Sequence, residues 1–202
     1  MFLNDVSSVD FWDDRYKTHN TGWDLGTPTP IFLSWLAEHP AHNQRVCVLG
    51  AGSGYDAIAF ARQGYIVTAV DFAPTATALI QTNADEAEVN IDVITGDLFD
   101  LPETHADAFD LVVEYTTYCA IDPGRRDEYI EVVSKLVGAE KRFLALFWPV
   151  NKLADTGPPF RVTRSDIEDR FSKYFELESQ LMPDNSAEGR QGKEILAEYR
   201  RK

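Results

Sequence analysis

Short apolar runs recur along the chain, most of them closed by glycine, proline or an acidic residue. Between several of them lie longer segments whose apolar positions fall three and four apart. The short runs predict strands and the longer segments predict helices. Strands are expected at Val46–Leu49, Ile66–Val70, Ile91–Ile94, Leu111–Glu114 and Phe143–Trp148, the last stopped by Pro149. Helices are expected from Tyr55 to Gln63, from about Pro74, a favourable first helical residue, and from Arg125 to Val137. Before the first strand, Asp10 to Lys17 reads as a short helix and Thr21 to Pro30 as a turn-rich connection. A further helix runs through Ile31–Leu36. Near the other end, a helix within Arg161–Phe171 is capped by Thr163 or Ser165, and two strands lie near Phe175–Ser179 and Glu194–Arg200.

Strands alternating with helices predict a mainly parallel sheet covered by helices. The last two strands are separated chiefly by the turn-rich stretch Pro183 to Gly192, which suits an antiparallel hairpin. The expected architecture is therefore α/β and Rossmann-like. It has seven strands, a C-terminal antiparallel hairpin and a helical segment ahead of the sheet. A single domain over residues 1–202 is expected, with 1–44 as the helical lid or cap and 45–202 as the core.

Composition agrees with a globular chain of this size: 202 residues, 44% hydrophobic and 26% charged. The net charge of -14 changes the picture more, because so acidic a surface repels phosphate backbones. Nucleic acid is not an expected partner. No apolar run is long enough to cross a bilayer and no basic, apolar leader is present, so no membrane partner is expected. The two cysteines, Cys47 and Cys119, make no disulfide framework. The four histidines lack ligand spacing, and no metal is expected. A reducing cytoplasm and a monomer acting on a small molecule are the expectations.

The densest chemistry lies at Val46-Cys47-Val48-Leu49-Gly50-Ala51-Gly52-Ser53-Gly54, a strand running into alternating glycines. The second strand ends on Asp71. Strand, glycine turn, helix, strand and terminal carboxylate make up the nucleotide-binding half of a doubly wound fold. Glycines there admit a close ligand, and Asp71 is placed to accept hydrogen bonds from ribose hydroxyls. A dinucleotide fingerprint has its third glycine where this chain has Tyr55. The G-x-G-x-G spacing of Gly50, Gly52 and Gly54 fits S-adenosylmethionine better than NAD, since the former carries no pyrophosphate to be cradled. After the third strand, Asp97 could accept from an adenine amino group, with Leu98 and Phe72 against the ring faces. A turn or capping role for Asp97 is the competing reading. Trp12 and Tyr16 share a helix face, and Trp23 follows in the Gly/Pro-rich connection. These aromatics are either a hydrophobic cap or a lid whose faces meet a sulfonium cation.

These motifs together resemble the thiopurine S-methyltransferase family, in particular its thiol, thiocyanate and halide methyltransferase branch. The resemblance runs from about Phe11 to the C-terminus. It is carried by Trp12-x-x-x-Tyr16, by Trp23-Asp24-x-Gly26-x-Pro28-x-Pro30 and by the Gly50–Gly54 loop with Asp56. Gly96-Asp97-Leu98-Phe99, Asp110–Tyr115 with Cys119-Ala120-Ile121, and Gly157-Pro158-Pro159-Phe160 complete it. It implies a class I methyltransferase fold and methyl transfer from S-adenosylmethionine to a soft nucleophile, with S-adenosylhomocysteine as product. It also implies that Trp12, Tyr16, Trp23, Gly50, Asp71, Asp97, Leu98 and Tyr115 contact the cofactor, and it turns the aromatic segment from cap into lid. Two departures bear on the acceptor: Tyr16 stands where many relatives have Trp, and Glu114 where many have Asp.

A thiol, hydrosulfide, thiocyanate or halide acceptor agrees with the lack of a His–Asp dyad, because an ionised nucleophile needs no base. No catalytic base is assigned. Tyr115, Tyr118 and Phe160 are candidates to line the acceptor pocket. Arg125 and Arg126 are candidates to favour an anionic acceptor or a thiolate, against the alternative of a solvated helix start. Two rival functions stay open: an NAD-dependent oxidoreductase, and a non-catalytic nucleotide-binding or interaction protein.

Overall fold

The computed structural model describes residues 5–154 and 156–202; the first four residues of the expected lid segment lie outside them. The chain divides into two compact units, Met1–Leu98 and Phe99–Lys202. The first holds helices α1 (Val9–Lys17), α2 (Pro30–Glu38), α3 (Tyr55–Arg62) and α4 (Pro74–Glu86), with strands β1 (Arg45–Leu49), β2 (Ile66–Asp71) and β3 (Ile91–Thr95). The second holds α5 (Pro102–His105), β4 (Phe109–Tyr115), α6 (Arg126–Leu136), β5 (Val137–Phe147), α7 (Arg164–Glu168), β6 (Phe175–Leu181) and β7 (Ile195–Arg201). The strand order is β3-β2-β1-β4-β5-β7-β6. β1 with β2, β2 with β3, and β4 with β5 are parallel, whereas β7 is antiparallel to both β5 and β6. This is the Rossmann-like class I architecture with its C-terminal antiparallel strands.

In the first unit β1 buries Val46, Cys47, Val48 and Leu49 in succession, as a parallel strand covered on both faces must. Phe32, Trp35, Phe60 and Tyr65 pack the helices beside it, with the Phe60 and Tyr65 rings 5.3 Å apart. In the second unit the core is aromatic. Phe171 stacks on Tyr199 at 5.0 Å and on Phe143 at 5.6 Å, and Phe147 and Phe175 close the cluster.

The largest departures from the expected elements are at β5 and α5. β5 starts at Val137, six residues earlier than the apolar run, directly after α6. Its first part, Gly138 to Arg142, is polar and largely exposed, and is held through a register shift against β4 between Phe109 and Leu111. Only Val137 and Arg142 keep partners on β4, Phe109 and Leu111, and the residues between them bulge from the ladder, so hydrophobic alternation carries no trace of the stretch. Trp148 lies outside β5. The four-residue α5 is too short to leave a periodic signal. At α7, Thr163 is the cap: its hydroxyl accepts from Asp166 N at 3.0 Å, and the Asp166 carboxylate accepts from Thr163 N at 2.8 Å.

Candidate cofactor and acceptor sites

Gly50, Gly52 and Gly54 all adopt left-handed backbone, with φ of 57°, 58° and 84°. Side chains at such angles are strained, so the alternation follows from the turn itself. Packing adds to this at Gly54, where a Cβ would lie 3.1 Å from Ile80 of α4. At Gly52 a Cβ would lie 3.1 Å from the hydroxyl oxygen of Tyr16. The glycines thus answer first to the chain's own geometry. The bare turn that results also suits the amino-acid tail of S-adenosylmethionine.

Asp71 ends β2 behind this turn and is buried. Its two carboxylate oxygens accept from Gly52 N and Ala73 N, each at 3.0 Å. Burial pushes the Asp71 carboxyl up to about 6, although the backbone donors pull the other way. The Asp71 carbonyl accepts from Gly96 N at 3.1 Å, which ties the loop carrying Asp97 and Leu98 to the end of β2. Phe72, Asp97 and Leu98 are all half-buried.

The aromatic segment is firmly attached to this unit. Trp23 meets Trp12 at 5.4 Å and Tyr16 at 5.8 Å, both edge to face. Tyr16 is buried against Ala73 and Ala76 at the start of α4, while Trp12 and Trp23 stay partly open. Three aspartates hold the segment. Asp13 accepts from Thr75 N at 2.7 Å, Asp24 accepts from the Ser53 hydroxyl at 2.5 Å, and Asp56 accepts from Thr29 N and Oγ1 at 2.7 and 2.8 Å. Burial raises the Asp13 carboxyl, but the bonds from Lys17 and Thr75 outweigh it and leave it below its ordinary range. Of these anchors the sequence marked only Asp24 and Asp56, as parts of motifs and without a role.

The acceptor candidates of the second unit separate into different environments. Tyr118 is 1% exposed and packs against Tyr129, Phe147 and Phe171, so it belongs to the core and does not line an open pocket. Arg126 is buried as well. It pairs with Asp166 at 3.5 Å, donates to the Arg161 carbonyl at 2.9 Å and lies 4.5 Å over the Tyr118 ring. It is not a solvated helix start, and it lines a cavity with Arg161, Thr163, Ser165, Asp166, Asp169 and Arg170. Arg125 is half-buried, forks onto Glu128 at 2.8 and 3.0 Å and covers the Phe99 ring at 3.5 Å. Phe160 is half-buried, and its N–H donates to the Cys119 carbonyl at 2.6 Å. Its ring occupies the space beside Gly157, where a Cβ would come within 2.5 Å of it.

Tyr115, the last residue of β4, has partners that the sequence did not foretell. Its hydroxyl donates to Glu194 and accepts from Arg190. The Arg190 guanidinium lies 5.0 Å over the Tyr115 ring and 4.9 Å over that of Trp148, just past β5. Arg190 and Glu194 are both buried, 4.0 Å apart. Glu194 Oε2 and Trp148 Nε1 are buried with no hydrogen-bond partner among the described residues. Arg190 and Glu194 precede antiparallel β7, so the group sits at the carboxyl ends of β4 and β5, the edge where open α/β sheets bind ligands. In the sequence Arg190 lies within a turn-rich stretch, and Arg-x-x-x-Glu spacing there is too common to signal a buried pair.

Beside this geometry stand the likenesses to known proteins. The model of the thiopurine S-methyltransferase family matches residues 7–200. The chain belongs to the thiopurine S-methyltransferase family. A probable thiol methyltransferase 2 of Arabidopsis thaliana is 30% identical over 161 residues, 78% of this chain and 69% of that protein. A thiopurine S-methyltransferase of Acinetobacter baylyi is 23% identical over 208 residues, 93% and 95% of the two chains. The solved structure of a Burkholderia thailandensis 1,6-didemethyltoxoflavin-N1-methyltransferase shares the fold at a TM-score of 0.76. It is 16% identical, and the match covers 96% of this chain and 86% of that one. As a member of this family the protein is a methyltransferase that uses S-adenosylmethionine, which sets aside the oxidoreductase and non-catalytic readings. Among the described residues no helix is long and apolar enough to cross a membrane, and no group of His, Cys, Asp or Glu is placed to hold a metal ion.

Proposed function

We propose that this family member methylates a small soft nucleophile, with a neutral thiol as its principal acceptor. The observation that carries this reading is the group that half-buried Tyr115 forms with the buried Arg190 and Glu194. Its guanidinium and carboxylate balance each other beside the Tyr115 and Trp148 rings. A charge-balanced, aromatic wall favours a polarisable neutral acceptor over a small inorganic anion, which would need an uncompensated cation. The relatives named as thiol and thiopurine methyltransferases support the same class.

Bound cofactor supplies a methyl group on an electrophilic sulfonium. The Gly50–Gly54 turn passes its tail. A carboxylate offers about four acceptor positions, and those of Asp71 left by the backbone donors take the ribose hydroxyls. Asp97 takes the adenine amino group, with Phe72 and Leu98 on the ring faces. Trp12, Tyr16 and Trp23 cover the sulfonium end, where aromatic faces attract a cation and exclude water. Tyr115 and Phe160 meet the acceptor. We read residues 1–202 as one domain, which the unbroken family match over 7–200 supports, and infer a cytoplasmic monomer without nucleic-acid or membrane partners.

A methyl-release assay with an alkyl thiol, a thiopurine, hydrosulfide, thiocyanate and iodide tests the reading. Turnover should be highest with a thiol. Methylation of an oxygen or nitrogen acceptor, with all five inert, would show the acceptor class to be wrong.

A further inference from the structure

We propose that Tyr115 and Glu194 form a proton relay that takes the proton of a neutral thiol acceptor during methyl transfer. The inference rests on the thiol reading above and assigns a proton path where the sequence shows no base.

The geometry has three parts. Tyr115 is half-buried as the last residue of β4, at the strand end where ligands bind, and its hydroxyl meets the buried Arg190 and Glu194. The hydroxyl proton already points inward, donated to Glu194. Glu194 is completely buried, and its second oxygen has no partner among the described residues, so the carboxylate has unused capacity to hold a proton. Arg190 donates to the same phenol oxygen and lies 4.0 Å from Glu194, which fixes the hydroxyl's direction.

Burial and the Glu194 charge push the Tyr115 phenol above its ordinary range, so a free phenolate is disfavoured. The transfer is accordingly concerted. As the acceptor sulfur forms its bond to the methyl carbon, the bond from that carbon to the sulfonium breaks and its electron pair stays on the departing thioether. The S–H proton passes to the Tyr115 oxygen while the phenol's own proton passes to Glu194. The products are a methyl thioether, neutral S-adenosylhomocysteine and a protonated Glu194, which returns its proton to water by the reverse path when the site empties. An acceptor that is already an anion needs none of this.

The test compares acceptors that differ in ionisation, using the full chain with S-adenosylmethionine at pH 7. 2-Mercaptoethanol is mostly neutral there, whereas 4-nitrothiophenol and iodide are anions. The quantity read is the ratio of kcat/KM for the neutral thiol to that for each anion, so a loss common to all acceptors cancels. Glu194→Gln and Tyr115→Phe should each lower that ratio about 100-fold, at the lower end of general acid–base effects. S-adenosylhomocysteine affinity in each variant checks that the fold and cofactor site survive. Should Gln fail to fold, Glu194→Asp, which keeps the carboxylate, should retain more of the ratio than Tyr115→Phe. A ratio unchanged in both variants while wild type methylates the thiols would overturn the relay and leave the thiol reading standing. Wild-type inertness toward both thiols and iodide would overturn both.

Discussion

Gly52 donates its N–H to the carboxylate of Asp71 at 3.0 Å, so the residue proposed to meet the ribose also braces the glycine turn. Two losses should therefore follow Asp71→Ala. Affinity for S-adenosylhomocysteine should fall by about 1.5–3 kcal/mol, the scale of a hydrogen bond to a charged group. The unliganded protein should also lose stability, because Gly52 and Ala73 are left without their acceptor. Asp71→Asn should weaken binding with less effect on stability. Calorimetry showing intact affinity in a folded variant would remove Asp71 from the cofactor site.

Trp23 is half-buried, with Trp12 and Tyr16 edge to face against it. Trp23→Ala should weaken S-adenosylhomocysteine binding while costing the unliganded protein less than the roughly 3–5 kcal/mol of a fully buried aromatic truncation. Titration and thermal melts on the same variant separate the two effects. A full-sized stability loss with unchanged affinity would make the segment a cap and nothing more.

The two adjacent arginines should behave differently. Arg126→Ala leaves Asp166 buried beside a cavity and should destabilise by about 3–5 kcal/mol, as when one member of a buried pair is lost. The Asp166–Arg170 contact at 3.2 Å softens this toward the lower figure. Arg125→Ala breaks a half-exposed pair with Glu128 and should cost about 1 kcal/mol or less. Urea unfolding of both variants decides; equal losses would contradict the assigned environments.

Glu114 is buried at the end of β4, where one oxygen accepts from Tyr118 N at 2.9 Å and the other has no partner among the described residues. Burial pushes its carboxyl up to about 7 from an ordinary 4.5, partly offset by backbone donors and Arg126. The folded state then keeps a proton that the unfolded chain has already released. The stability this contributes is complete below about pH 4.5 and is lost as pH rises through 7. Asp71, raised to about 6, adds a change of the same sign. Glu114→Gln should flatten the fall between pH 5 and pH 8 by about 1–3 kcal/mol and be at least as stable as wild type at pH 8. Denaturation midpoints at the two pH values measure it, and an unchanged slope would rule out Glu114 as its source.

The sheet and its order of elements were legible because burial leaves a periodic mark. β1, β2 and β4 each carry a short run of buried apolar residues, and each appears within two residues of its expected bounds. The polar half of β5 left no mark, since it bulges from the ladder between Val137 and Arg142 and buries no apolar face. At the glycine turn the residue types were visible but their cause was not. Left-handed φ and the approach of Ile80 and Tyr16 require those glycines, and both arise only when the chain folds back on α4 and α1.

Sequence by itself determined the fold class and the chemical inventory at the strand ends, because these rest on local spacing, and its motifs carried the resemblance to the family. Tertiary structure alone decided which inventory residues are available to a ligand. Tyr118 and Arg126 carry the same side chains wherever they lie, yet packing against Phe171 and Asp166 commits them to the interior. Tyr115 acquires Arg190 and Glu194 from 75 and 79 residues away. Such a partnership depends on where β7 returns beside β5, and local pattern cannot encode it, because hydrogen bonding and burial act on distance in space and are indifferent to distance along the chain.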